Sequence, residues 1–259
     1  METVSLAHAR KLLASVGGSG HIRLELEGQV GRLVIDHPSA RNAISPTMML
    51  ELESAVEAIE AWPGALLSIR GQGTKAFCAG SDLSAVRGAL DRPDLAQAMT
   101  VFMGQLCARL LAIPQLSVAC VQGAAVGGGA ELMTCADLRV IQRDARVQFV
   151  HGRLGLSPGW GGAARLRALV GYSEALAILA RAQPLNLDAH PGLWHSLALD
   201  AEPATEQLFQ ELCELPALSI RAAKEALQSP QREQESFLRL WGGAEQRLAL
   251  AKLSQGKGR

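Results

Sequence analysis

The stretch GAAVGGGAEL, residues 123–132, sets three glycines in a row, Gly127, Gly128 and Gly129, directly before a segment, AELMTCADL, that reads as helical. Glycine inside regular structure costs about 0.5–1 kcal/mol relative to alanine. The run therefore marks a turn where no Cβ fits, or a backbone that another group approaches closely. A second stretch, KAFCAGSDLSAV (75–86), has the same plan: a strand-like run, a glycine turn and a helix start with Asp82 in its first turn. Where a strand turns into a helix, the first helical N–H groups lack partners and the dipole is positive. That end of a helix suits a negative oxygen. A packing turn is the other reading, and the residues alone leave both open.

If the two termini face one another, they offer two N–H donors to one oxygen. Such a main-chain oxyanion hole is useful where a thioester carbonyl becomes an enolate. Neighbouring motifs narrow the field. The spacing G-x-G-x-x-G is not met, and G-K-[ST] is missing, so neither a dinucleotide fingerprint nor a P-loop is present. Residues 155–159, GLSPG, fit G-x-S-x-G, but Pro158 has no N–H to supply the donor that such an elbow uses. Ser157 reads better as a helix initiator than as a nucleophile. The histidines lack metal-ligand spacing, so no metal is expected.

The order of elements points to an α/β fold. HIRLELEG and GRLVIDHP read as strands. Ser45 is an N-cap with Pro46 at the first helical position, followed by Met49, Leu52, Val56 and Ile59 on one face. LLSIRG is a buried strand, DLAQAMTVFMGQLCARLLAI an amphipathic helix, and LSVACVQG a strand leading into the triple glycine. DLRVI and VQFV are later strands, with helices over GGAARLRALV and SEALAILAR. Beyond residue 203 the chain reads as helical, with breaks at Pro216, Pro230 and Gly242-Gly243. We therefore expect a core over 1–202 and a helical extension over 203–259.

Charge and composition exclude some partners. Twenty-five basic residues balance twenty-five acidic ones, so no nucleic-acid footprint is expected. Arg139, Arg143, Arg146, Arg165 and Arg167 read as solvated side chains. No uninterrupted apolar run is long enough for a bilayer, and no secretory signal is expected at the N-terminus, while a transit peptide stays open with Glu2 against it. The five cysteines are scattered, and none forms C-x-x-C; they read as small buried residues in a reducing cytoplasm.

FCAGSDL followed by GGGAEL…CADLRV resembles the crotonase (enoyl-CoA hydratase/isomerase) superfamily, from about residue 20 almost to the end. RNAIS, FVHGRLGLSPGWGGAARL and LWGGAEQRLAL resemble its decarboxylating members. The resemblance implies a spiral of repeated ββα units, with the helical C-terminal region used in a homotrimer or a dimer of trimers. It places the oxyanion donors at the N–H groups of Ser81 and Gly128, and Arg41, Ala43, Ala79 and Trp160 beside the substrate. Trp160 belongs either to the acyl pocket or to the core. Coenzyme A would be part of the substrate, with an acyl-carrier-protein thioester as the alternative, and no separate cofactor.

A hydratase of this family resembles a two-carboxylate machine around a water. Glu131 stands at the first position, but the second, counted back from Gly155, holds His151. Loss of CO2 from a malonyl-type thioester needs only the enolate-stabilising N–H groups, a carboxylate held out of the thioester plane and a proton donor. Glu131 and His151 are the candidates to divide those last roles. Decarboxylation of a short branched acyl-CoA is thus the expected activity, with hydration or isomerisation, or silent thioester binding, as alternatives.

Overall fold

The computed structural model describes residues 4–87 and 91–256. Helix α1 (Leu6–Val16) opens the chain, its first turn closed by the Ser5 side chain accepting from the N–H of His8. Strands β1 (His21–Glu27) and β2 (Val30–Asp36) form an antiparallel hairpin. Helix α2 (Pro46–Ala61) begins at the expected cap, where Ser45 Oγ accepts from the N–H of Met48 at 3.3 Å, and buries Met49, Leu52, Val56 and Ile59.

Three turns of a spiral follow. The first is β3 (Leu66–Gly71), β4 (Ala76–Cys78), α3 (Leu83–Val86) and α4 (Pro93–Ala112). The second is β5 (Leu116–Val121), β6 (Ala124–Val126) and α5 (Gly128–Met133). The third is β7 (Leu138–Gln142), β8 (Val147–Gln148), α6 (Gly162–Val170) and α7 (Tyr172–Arg181). In each turn the first strand joins one sheet and the second strand joins another. The larger sheet has the order β1-β2-β3-β5-β7 and ends on β9 (Ser196–Ala198); from β2 onward its pairings are parallel. The smaller is β4-β6-β8, also parallel. This is the ββα spiral that the family resemblance implied.

Helices α8 (Ala201–Cys213), α9 (Ala217–Gln228), α10 (Glu233–Leu240) and α11 (Ala244–Gly256) complete the chain, interrupted where the prolines and paired glycines stand. Ala201 and Phe209 of α8 and Ile220 of α9 cover a second core on the large sheet, against Leu66, Val118, Cys120 and Val140. Lys224 of α9 is buried. Its Nζ donates to Gln115 O at 2.8 Å and to Asp137 Oδ2 at 2.7 Å, the latter also accepting from the N–H and hydroxyl of Ser117. Burial pulls the Lys224 ammonium below its usual range, against the opposing pull of Asp137. Helix α4 is long and apolar enough to cross a bilayer by length and composition, yet Phe102, Met103, Leu106 and Leu110 lie in the main core.

Several expectations change. LSVACVQG does not run into the glycines: the chain leaves the large sheet at Gln122 and enters the small one as β6. The side chain of Gln122 holds this crossing by donating to Gly71 O at 2.7 Å and Gly73 O at 3.0 Å. The strand expected over VQFV is only β8, because Phe149 already turns into the core. Ser157 is exposed and starts no helix; α6 begins later, capped by Gly161 in a left-handed conformation. Arg139 is buried, donating to the carbonyls of Leu193 and Ala136 at 2.7 and 2.8 Å, rather than solvated. Cys213 is exposed, unlike the other four cysteines.

Candidate functional site

The small sheet collects the expected residues. Its three neighbouring parallel strands end side by side: β4 leads into Ala79-Gly80-Ser81, β6 into Gly127-Gly128, and β8 through Phe149 to His151. A Cβ built on Gly80, which has φ +95°, would lie 3.1 Å from the Gly128 nitrogen, so the first two turns touch. Among the described residues the N–H groups of Ser81 and Gly128 donate to no protein acceptor. That of Gly128 opens helix α5, where the dipole is positive.

The loop at 41–44 holds the first turn in place. Arg41 and Asn42 both adopt positive φ, 54° and 58°. The N–H of Ala79 donates to Arg41 O at 3.1 Å, that of Ile44 to Gly80 O at 2.7 Å, and that of Asp82 to Ile44 O at 2.9 Å. This pattern uses the groups flanking Ser81 and leaves its own N–H free. Arg41 is exposed, while Ala43 is buried with its carbonyl 3.0 Å from His37 Nδ1. Asn42 is the anchor that sequence reading missed. Its Oδ1 accepts from the N–H of His37, and its Nδ2 donates to Gln72 O and Ala76 O at 3.0 and 2.7 Å. Its place between Arg41 and Ala43, with a tolerance for left-handed backbone, was the available signal.

Asp82 caps α3, accepting from the N–H groups of Ser84 and Ala85 and from the Ser84 hydroxyl. Burial pushes its carboxyl up, but these donors outweigh it and hold it below the usual range.

The three glycines differ in purpose. Gly127 has φ +57° and makes the turn. A Cβ on Gly128 would lie 2.6 Å from the indole of Trp160, and one on Gly129 would lie 1.9 Å from Cys78 O. Packing thus explains Gly129 fully, and the packing and ligand readings coexist at Gly128. Trp160 belongs to the main core, its buried ring resting on the Gly128 turn.

Glu131, three residues into α5, is 1% exposed. Its Oε1 accepts from His151 Nε2 at 2.9 Å and from the N–H of Gly159 at 3.2 Å. Its Oε2 accepts from the N–H groups of Trp160 and Gly162, both at 2.8 Å. Burial raises its pKa, but His151 and the N–H groups of Gly162 and Trp160 prevail, holding it below the usual carboxylate range. Glu131 is therefore ionised at neutral pH. Gly162 is glycine because a Cβ there would lie 2.4 Å from Glu131 Cγ. Arg165, expected in solvent, instead clamps the loop: Nη2 donates to Trp160 O at 2.8 Å and Glu131 O at 3.2 Å, and Nε to Thr134 Oγ1. Only the fold reveals these roles for Gly162 and Arg165.

His151 is buried beside the Gly127 turn, with its Nε2 4.0 Å from where a Gly127 Cβ would stand. Its Nδ1 is buried without a partner. Among the described residues no group of His, Cys, Asp and Glu side chains is arranged to hold a metal ion.

Residues 25–239 match the family model described as enoyl-CoA hydratase/isomerase. The chain is similar to the ethylmalonyl-CoA decarboxylase of Danio rerio, 45% identical over 71% of this chain and 61% of that protein, so the match spans less than two thirds of the relative's length. It is 35% identical to that of Xenopus tropicalis, over 93% of this chain and 85% of the relative. For Bos taurus the values are 36%, 90% and 81%. Among solved structures, the enoyl-CoA hydratase of Bacillus anthracis superposes with a TM-score of 0.84 at 21% identity, covering 91% of this chain and 96% of that one. That of Thermoplasma volcanium superposes at 0.80 with 26% identity, covering 89% and 96%.

Proposed function

Because the chain belongs to the enoyl-CoA hydratase/isomerase family, we propose that it decarboxylates a short branched malonyl-type acyl-CoA, ethylmalonyl- or methylmalonyl-CoA. The names of its curated relatives support this. The structural observation that carries it is the direct 2.9 Å contact between His151 Nε2 and Glu131 Oε1. A hydratase needs an acid and a base with a water between them. Here the two groups touch one another, and every remaining oxygen position on Glu131 that a water would use faces a backbone N–H.

In this reading the thioester oxygen sits between the N–H groups of Ser81 and Gly128, which stabilise the enolate left when CO2 departs. Ala43, Ala79 and the Trp160 ring wall the acyl group, and Arg41, exposed at the rim, meets the coenzyme A portion or the equivalent part of a carrier-protein thioester. No cofactor beyond the substrate's own coenzyme A is invoked, and the proposed setting is the cytoplasm. Assaying malonyl-, methylmalonyl- and ethylmalonyl-CoA side by side for CO2 tests the substrate class; the branched substrates are expected to turn over fastest. A malonyl-CoA preference would remove the branched specificity, and tight acyl-CoA binding without any product would identify a silent binding protein.

We further propose a homotrimer or a dimer of trimers assembled through the C-terminal helices. Phe237, Trp241, Leu248, Leu250 and Leu253 are large, apolar and exposed there, and exposed apolar side chains gathered in one region suit an interface between copies. Sedimentation of the full chain is expected to show the assembly, and a stable, active monomer would contradict it. Deleting the chain from Glu202 also strips Phe209 and Ile220 from the second core, so the truncated protein is expected to aggregate.

A further inference from the structure

We propose that Glu131 is a positioning residue and that His151 handles the proton, presenting the Nδ1 side of its ring to the reacting group. This rests on the decarboxylase reading above and divides the labour within that site.

An ionised carboxylate has about four hydrogen-bond acceptor positions. In Glu131 four donors occupy them: His151 Nε2 and the N–H of Gly159 on Oε1, and the N–H groups of Trp160 and Gly162 on Oε2. A proton on either oxygen would have to displace one of these donors, three of which are fixed in the backbone. Gly162 lacks the Cβ that would push this carboxylate away, and Arg165 ties the same loop to α5 through Trp160 O and Glu131 O. The surroundings of Glu131 are thus built to keep it a fixed anion.

His151 is built in the opposite way. Its Nε2 is committed as donor to Glu131, which sets the ring orientation. Its Nδ1 is the one buried side-chain nitrogen among the described residues that has no hydrogen-bond partner. Buried polar atoms are almost always paired, and an exception calls for an explanation; a partner that arrives with the ligand supplies one. The Nε2 edge of the ring lies at the Gly127 turn, 4.0 Å from where a Cβ on that glycine would stand, one residue before the N–H of Gly128. In the proposed complex, a thioester held by its oxygen at the N–H groups of Ser81 and Gly128 would place its α-carbon beside this ring.

The proton balance follows. The bond from the α-carbon to the carboxylate carbon breaks, CO2 leaves, and the electron pair remains on the α-carbon and thioester oxygen. An imidazolium with Nε2–H on Glu131 and Nδ1–H on the substrate gives its Nδ1 proton to the α-carbon. The resulting neutral imidazole regains a proton from water, so solvent supplies the proton consumed with each CO2 released.

The experiment uses the full-length protein and ethylmalonyl-CoA in D2O, reading the CO2 release rate and the handedness of the deuterium at the α-carbon of the butyryl product. The wild type is expected to give one enantiomer. His151→Ala is expected to release CO2 about 10²–10⁴-fold more slowly, to scramble the label, and to regain rate with added imidazole. Glu131→Gln is expected to slow turnover and scramble the label while ¹⁵N spectra show that the charge-assisted Nε2–H hydrogen bond of His151 is weakened. A single-handed label from His151→Ala would overturn His151 as the donor. Unchanged rate and handedness in Glu131→Gln would overturn the positioning role. Lost turnover in Glu131→Gln with the His151 Nε2–H signal unchanged would make Glu131 the proton-handling group instead. If Glu131→Gln does not fold, the His151→Ala label and its imidazole rescue decide the assignment. Wild-type protein that releases no CO2 defeats the functional reading itself, whereas wild-type CO2 release unchanged in His151→Ala defeats only this division of roles.

Discussion

Replacing Gly128 with proline is expected to lower turnover at least ~10²-fold, the usual effect of removing one donor from an oxyanion hole. The substitution deletes the N–H that stands free at the start of α5 and next to the Gly80 turn. Proline is tolerated at the first helical position because that N–H has no helical partner, so the helix itself is not the obstacle. The added ring does approach Trp160, whose indole lies 2.6 Å from the Cβ position. Circular dichroism and a thermal melt must therefore accompany the kinetics, with Gly128→Ala as the control that keeps the N–H but makes the same steric demand. Turnover is expected to fall much further in the proline variant than in the alanine one. Equal losses would assign the effect to Trp160, and near wild-type turnover in a folded proline variant would remove Gly128 from the chemistry.

The neighbouring glycine is expected to fail differently. In Gly129→Ala the new methyl would lie 1.9 Å from Cys78 O, the backbone of β4 itself. An indole can swing aside, but a carbonyl at the end of a buried strand moves only with the strand. Overpacking typically costs about 1–3 kcal/mol and occasionally more, and this contact belongs at or above the upper end. For a chain of this size that is a fall in Tm of about 6–12 °C. Loss of soluble protein would agree, while a melt within a degree of the wild type would show that β4 and α5 are not packed as described.

These two glycines mark what a linear sequence can and cannot express. The turn itself was legible, since glycines between a strand and a helix have few uses. The groups that exclude a side chain from each were not, because Cys78 and Trp160 come from other turns of the spiral. Helix α2 was fully legible because Ser45, Pro46 and the spaced apolar residues are local signals. By contrast, LSVACVQGAAV reads as continuous apolar chain although it crosses between sheets at Gln122 and Gly123. A Cβ on Gly123 would lie 2.6 Å from the Lys75 carbonyl, a contact that only the assembled spiral creates. The N-terminal helix carried its own cap at Ser5 and went unread. Strand β9 is too short to have a period and exists because Val140, Ile141 and Gln142 pair with it.

The candidate site divides along the same line. Glu131 and His151 could be picked out by type and spacing, but their 2.9 Å contact could not. Nor could the backbone donors from the loop at 159–162, since a main-chain N–H leaves no mark in a sequence.

The proposed activity breaks a carbon–carbon bond and does not add water. Its most direct test is product analysis of the wild-type protein with ethylmalonyl-CoA and, in parallel, crotonyl-CoA. CO2 and butyryl-CoA are expected in equal amounts from the first, and little or no 3-hydroxybutyryl-CoA from the second. Efficient hydration of crotonyl-CoA with no CO2 from ethylmalonyl-CoA would contradict it and make the protein a hydratase.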